Sequence, residues 1–147
     1  QSIDAKRGKS IEEIPLDPSV KRFEQAALRY IQTYPKAEKV NDIKRRLGVL
    51  YYSYNHFPQA LELFEQVLRD SPDSENGEIA GNLTLDIYKL RNDMAGFTAK
   101  GNEFLANPAI AGTRCAFDRV AEAATILSAF NCRASGGDLC GRERLSR

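Results

Sequence analysis

With 147 residues, 42% of them apolar and 28% charged, the chain can bury one sizeable core and has the make-up of a globular protein, or of a short stack of helical pairs. Lys and Arg number 21 against 20 Asp and Glu, so a net charge of +1 supplies no strong pull towards nucleic acid or an anionic membrane. No apolar run approaches the roughly 18 residues that a membrane-spanning helix needs. The chain begins with Gln1, not Met, and reads as a trimmed or processed chain or a piece of a longer protein.

Residues 1–16 are polar, with Lys6, Arg7 and Lys9 followed by Ile11, Ile14 and Pro15, and read as an extended arm pinned by its isoleucines. Asp17-Pro18 opens a first helix, because an acid suits the N-cap and proline suits the first helical position. Val20, Phe23, Ala27, Tyr30, Ile31 and Tyr34 then share one face, and Tyr34-Pro35 ends the helix. From Asn41 to Pro72 the pattern is most regular. Ile43, Leu47, Leu50, Tyr51 and Tyr54 mark one amphipathic helix, and Ala60, Leu61, Phe64, Val67 and Leu68 mark a second. Asn55–Pro58 interrupts them, and Asp70-Ser71-Pro72 stops the second helix. Where the two must meet, Gly48 and Ala60 leave room and Tyr51 and Phe64 fill it.

The order Leu47-Gly48, Tyr51, Ala60, Phe64 and Pro72 resembles the tetratricopeptide (TPR) repeat signature, departing from it at Lys44 and Val67. An ordinary helical hairpin is the alternative reading. Residues 23–35, FEQAALRYIQTYP, resemble the second helix of a repeat whose first helix is missing or irregular. Residues 91–108 align on residues 55–72 with a shift of 36 and no gap, placing Gly96 over Ala60, Phe97 over Leu61, Phe104 over Leu68 and Pro108 over Pro72. The helix before them carries Ile79, Leu83, Ile87 and Leu90. This second copy is degenerate, with Thr84 and Asp86 at positions expected to be apolar or small, and Gly101 lowering helix propensity by about 1 kcal/mol. The long spacing and polar connectors resemble TPR proteins of the bacterial envelope, of the outer-membrane assembly lipoprotein and Tol-Pal-associated types. That resemblance implies a periplasmic or outer-membrane-associated location, with the cytoplasm as the alternative.

A last helix is expected from about Arg114 to Asn131, with Phe117, Val120, Ala121, Ala124, Leu127 and Phe130 on its apolar face, closing the stack as a cap. Residues 132–147 read as a flexible tail. Cys115, Cys132 and Cys140 are an odd set without zinc spacing; a Cys132–Cys140 bridge suits an oxidising compartment and three free thiols a reducing one.

No convergent catalytic constellation is visible. His56 falls in an inter-helix turn without a nucleophile or carboxylate motif beside it, and no glycine-rich phosphate loop follows a strand. Asn82-Leu83-Thr84 fits a glycosylation sequon but lies in an expected helix. Lys44-Arg45-Arg46 is either a solvated helix face or, through Arg45, a contact for an acidic partner. In TPR arrays the first helix of each pair lines an inner groove, and the resemblance carries those positions onto Asp42, Arg45, Val49, Tyr52 and Ser53. The shift of 36 carries them on to Glu78, Gly81, Leu85, Tyr88 and Lys89. Tyr52 and Tyr88 lie off their packing stripes and are expected to act as rigid aromatic anchors, with packing between neighbouring repeats as the alternative. The carboxylate-clamp positions of chaperone-binding grooves read Arg45, Val49 and Asn82, an incomplete set.

The sequence therefore predicts an all-α protein with an arm at 1–16, a TPR-like domain at 17–131 forming a short right-handed solenoid of antiparallel helical hairpins with a C-terminal capping helix, and a tail at 132–147. It predicts a non-enzymatic scaffold that holds a protein or peptide partner in a concave groove. No cofactor, metal, nucleic acid or small-molecule substrate is expected. Self-assembly through the ends of the stack is the alternative function.

Overall fold

The computed structural model describes residues 10–111, and among them every regular element is helical, with no strand. The helices are α1 (Pro18–Thr33), α2 (Val40–Ser53), α3 (Phe57–Asp70), α4 (Glu75–Leu90), α5 (Met94–Ala106) and the short α6 (Pro108–Ala111). Each packs on the next, and α2 also packs on α4. The expected helix at 114–131, the tail at 132–147, all three cysteines and residues 1–9 lie outside the described residues. No described helix is long and apolar enough to cross a membrane.

Local chemistry explains the helix starts. Pro18 opens α1, and Pro58 sits in the first turn of α3, where no intrahelical N–H bond is lost. Ser74 Oγ accepts the Gly77 N–H at 3.1 Å and caps α4, while Asp93 Oδ1 accepts the Gly96 N–H at 2.9 Å and caps α5. Asp17 stands at the N-cap of α1 but makes no capping bond through its side chain. Pro108, which aligns on Pro72, opens α6.

The turns joining α2 to α3 and α4 to α5 are copies of each other. Asn55 and Asn92 both adopt the left-handed conformation, with φ of 63° and 55°, which asparagine tolerates better than other residues with a Cβ. In the first turn the Asn55 and His56 N–H groups donate to Tyr52 O and Tyr51 O; in the second, Asn92 and Asp93 donate to Lys89 O and Tyr88 O. Equivalent residues at the turn are thus 37 apart, not the 36 expected from an ungapped alignment. The shift of 36 returns only at the ends of α3 and α5, since α5 is one residue shorter. Tyr88 therefore corresponds to Tyr51, not to Tyr52.

The core is centred on α3. Phe57, Ala60, Leu63, Phe64, Val67 and Leu68 are buried there against Leu47 and Tyr51 of α2, Ala80, Leu85 and Ile87 of α4, and Phe97 and Phe104 of α5. Gly48 decides how closely α2 and α3 approach, because a Cβ there would lie 2.5 Å from Phe64 Cε1. The buried face of α4 differs from the expected stripe. Gly77, Ala80, Gly81, Thr84, Leu85 and Ile87 are buried, whereas Ile79, Leu83 and Leu90 are only half-buried. Thr84 fits inside because its hydroxyl donates to Ala80 O at 2.7 Å, which satisfies the polar group locally. On α1 only Ala27 is buried; Phe23 and Tyr34 remain 39% and 57% exposed, so α2 covers only part of that stripe.

Candidate functional site

The residues singled out on α2 lie along its seam with α4. Arg45 Nε donates to Asn76 Oδ1 at 3.1 Å across that seam, Tyr52 donates its hydroxyl to Asp86, and Asn41 Nδ2 donates to Ser71 Oγ at 2.9 Å. Asp42 pairs with both Arg45, at 3.0 Å, and Arg46, at 2.9 Å. Val49 is half-buried against the core, and the Ser53 hydroxyl donates to Val49 O within its own helix at 2.8 Å. On α4, Glu78 is half-buried in the first turn and Lys89 is exposed in the last, at the ends where their charges complement the helix dipole.

Three expectations are corrected by this geometry. Leu85 is fully buried and Gly81 is buried as well, so both are core positions instead of contacts for a partner. Tyr88 does not accompany Tyr52. Asp86, which meets Tyr52, and Tyr88 are two positions apart on α4 and point about 200° apart around the helix. The basic run Lys44-Arg45-Arg46 is also split: Lys44 is 8% exposed and reaches Asp70 at 3.8 Å, Arg45 spans to α4, and Arg46 stays outside on Asp42. No contiguous basic patch survives that division.

Tyr88 instead lines a cleft of about 370 Å³ between α3 and α5. Leu61, Leu68 and Phe104 give it apolar walls, Thr84 and Tyr88 of α4 lie between those walls, and Ile110 of α6 also lines it. Charges of both signs stand on each rim: Glu65 and Arg69 on α3, Lys100 and Glu103 on α5, the latter two paired at 3.1 Å. The backbones of α3 and α5 make few close approaches, and the cleft lies between them. Sequence reasoning missed it, although Thr84, which stands on its floor at a position expected to be apolar or small, was in view.

Tyr51, which occupies the place of Tyr88 in the first hairpin, is covered by α1. Burial pushes its phenol up to about 12, and a hydrogen bond to Glu24 and that carboxylate's charge act in the same direction. His56 precedes α3, and its Nε2 lies 2.8 Å from Ile14 O, which makes it a turn residue engaged with the arm. The sequon threonine, Thr84, is buried and hydrogen-bonded to Ala80, so the folded chain does not present Asn82-Leu83-Thr84 as an extended acceptor. Among the described residues no three His, Cys, Asp or Glu side chains converge on a metal-sized site.

No family model, curated protein or solved structure matches the chain.

Proposed function

We propose that the chain is a non-enzymatic scaffold of the tetratricopeptide type, a short right-handed solenoid that holds a segment of a partner protein along the α2–α4 face. The observation that carries this reading is the repetition of one placement. Tyr51 meets Glu24 of α1, and 37 residues later in both partners Tyr88 and Leu61 of α3 line the same cleft, which fits α1 standing to the first hairpin as α3 stands to the second. Pro35, Pro72 and Pro108 follow the three equivalent helices at nearly the same spacing. Under this reading a capping helix from residues 114–131 completes the stack, and an envelope location follows the style of the repeats.

A stacked array cannot bury its stripes one hairpin at a time, and it presents the first helices of successive hairpins side by side. Here those helices are α2 and α4, and their shared face offers Asp42, Arg45, Val49, Tyr52, Ser53, Glu78 and Lys89. A half-buried tyrosine beside a carboxylate is a rigid anchor with a polar end, the kind of group that dominates interface energies. Tyr52→Phe and Tyr88→Phe chains, first matched by circular dichroism, separate the two faces in a pull-down from source-cell lysate. A partner lost with Tyr52→Phe and retained with Tyr88→Phe supports the α2–α4 face. Retention by both, together with retention by Lys89→Glu, sinks it.

Self-association is the second reading, and α1 supplies its observation: Phe23 within the helix and Tyr34 at its C-cap belong to one apolar stripe and stay 39% and 57% exposed. Apolar groups gathered on an open face mark contacts. Light scattering that gives a monomer mass across a wide concentration range removes this reading.

A further inference from the structure

The α2–α3 turn does more than join two helices. Asn55 is 2% exposed, and its Nδ2 donates to two carbonyls of the N-terminal arm, Ser10 O at 3.2 Å and Glu12 O at 2.8 Å. Ile14 N donates to Tyr54 O at 2.9 Å, and His56 Nε2 lies 2.8 Å from Ile14 O. The carbonyls of residues 10, 12 and 14 thus all face one turn, the alternation that an extended chain produces. The arm bends once, at Glu12, whose N–H donates to Ser10 Oγ at 3.1 Å. Among the described residues, the hydrogen bonds that join residues 10–14 to the turn all end on arm backbone atoms, so what the turn reads in that segment is main chain; beyond it, the Tyr54 hydroxyl donates to Asp17 Oδ2 at 3.4 Å. Asn92, in the copy of this turn, is exposed.

We infer that Tyr54–His56 is a docking notch for an extended strand, that residues 10–14 occupy it in cis, and that the same segment of a second copy can take their place. The occupant follows from the structure, since this segment is the strand seated there. Main-chain bonds work equally well from a strand on another chain. Pro15 and Pro18 bracket the short hinge that leads the arm into α1. In cis the arm enjoys an effective concentration of roughly millimolar, so exchange becomes visible only when the resident arm is weakened. The notch uses none of the residues proposed for the α2–α4 face, and the two ideas fail separately.

The probe is a fluorescent peptide of residues 10–16, Ser-Ile-Glu-Glu-Ile-Pro-Leu, titrated into the full chain. Ile14→Pro deletes the arm's donor to Tyr54 O and leaves the notch intact. The peptide is expected to bind the Ile14→Pro chain about tenfold more tightly than wild type. Adding Asn55→Gly, which keeps the left-handed backbone and removes the carboxamide, is expected to abolish that binding. Equal affinity for wild type and Ile14→Pro, no binding at millimolar peptide, or binding that survives Asn55→Gly overturns the inference. Amide exchange supplies a reading without Ile14→Pro: the Ile14 N–H should exchange about tenfold faster in Asn55→Gly than in wild type, and an unchanged rate also overturns it.

Discussion

The two helical hairpins share a turn and differ in how their helices meet. In the first, a glycine on the leading helix admits an aromatic from the trailing helix: Phe64 of α3 lies over Gly48 of α2. In the second the roles are exchanged, and Tyr88 of α4 lies beside Gly96 of α5, where an added Cβ would come within 2.9 Å of Tyr88 Cδ1. The first arrangement places a fully buried phenylalanine at the centre of the core. The second places a half-buried tyrosine at the edge of a cleft. Turn chemistry therefore sets that a hairpin forms, while the side on which glycine stands sets how tightly it closes.

That contrast is broken most severely by truncating the aromatics. Phe64 has no exposed surface, lies against Gly48 and belongs to the buried core, so Phe64→Ala should cost about 3–5 kcal/mol. Phe104 is 3% exposed but borders the cleft, where the void opens to solvent and fewer contacts are forfeited. Phe104→Ala should therefore lie near the lower end of that range, at about 3 kcal/mol or less. Urea unfolding of the two variants measures the difference, and equal losses would mean that the second hairpin packs as tightly as the first.

Glycine substitutions follow in size. Gly48→Ala forces a methyl group against the Phe64 ring and should cost about 1–3 kcal/mol, since neither the buried ring nor the helix backbone has room to retreat. Combining it with Phe64→Leu should recover part of the loss, a non-additivity that a double-mutant cycle on thermal or urea melts detects. At Gly96 the obstacles are the Asp93 carboxylate and the edge of Tyr88, both side chains at partly open positions. Gly96→Ala should cost less than Gly48→Ala, by about 1 kcal/mol or more.

The paired turns give a smaller and cleaner difference. Both asparagines hold positive φ, so alanine is strained at either site, but only at Asn55 does it also strip two bonds from the arm. Asn55→Ala should exceed Asn92→Ala by about 1–2 kcal/mol in chemical denaturation. Asn92→Gly, which relieves the left-handed backbone at an exposed position, should be neutral or stabilising by a few tenths of a kcal/mol, roughly.

The sequence was readable where one force decided the outcome. Apolar spacing gave α2 and α3 and most of their buried residues, and proline and acid placement gave the start of α1. The register between hairpins was not readable, because one residue is gained at the turn and lost again within α5. An ungapped comparison of prolines hides both events. The partner face was only partly readable for the same reason. Moving Tyr88 by one position turns it from the α2–α4 side into the cleft, and carrying groove positions forward by 36 lands Leu85 in the core. Arg45, Lys44 and Tyr52 could be named from sequence, but their partners Asn76, Asp70 and Asp86 come from helices whose relative rotation no local pattern encodes. The arm's clamp was equally hidden, since an asparagine in a turn is explained by its backbone alone.

The last effect separates Tyr51 from Tyr88, the same position in the two hairpins, and is read as a titration instead of a melt. α1 covers Tyr51, and desolvation together with Glu24 raises its ionisation to about 12 from an ordinary value of 10. The neutral phenol is thus the form that the fold prefers. Its contribution to stability is fully present below pH 10 and is lost as pH rises through 12. An absorbance titration of tyrosinate should show an ionisation near pH 12 in the wild type that disappears in Tyr51→Phe. Glu24→Gln removes the carboxylate's charge and should lower that ionisation while leaving the larger contribution of burial in place. If Tyr51→Phe leaves the high-pH step untouched, α1 does not cover Tyr51 in solution. The parallel between α1 over the first hairpin and α3 over the second then fails with it.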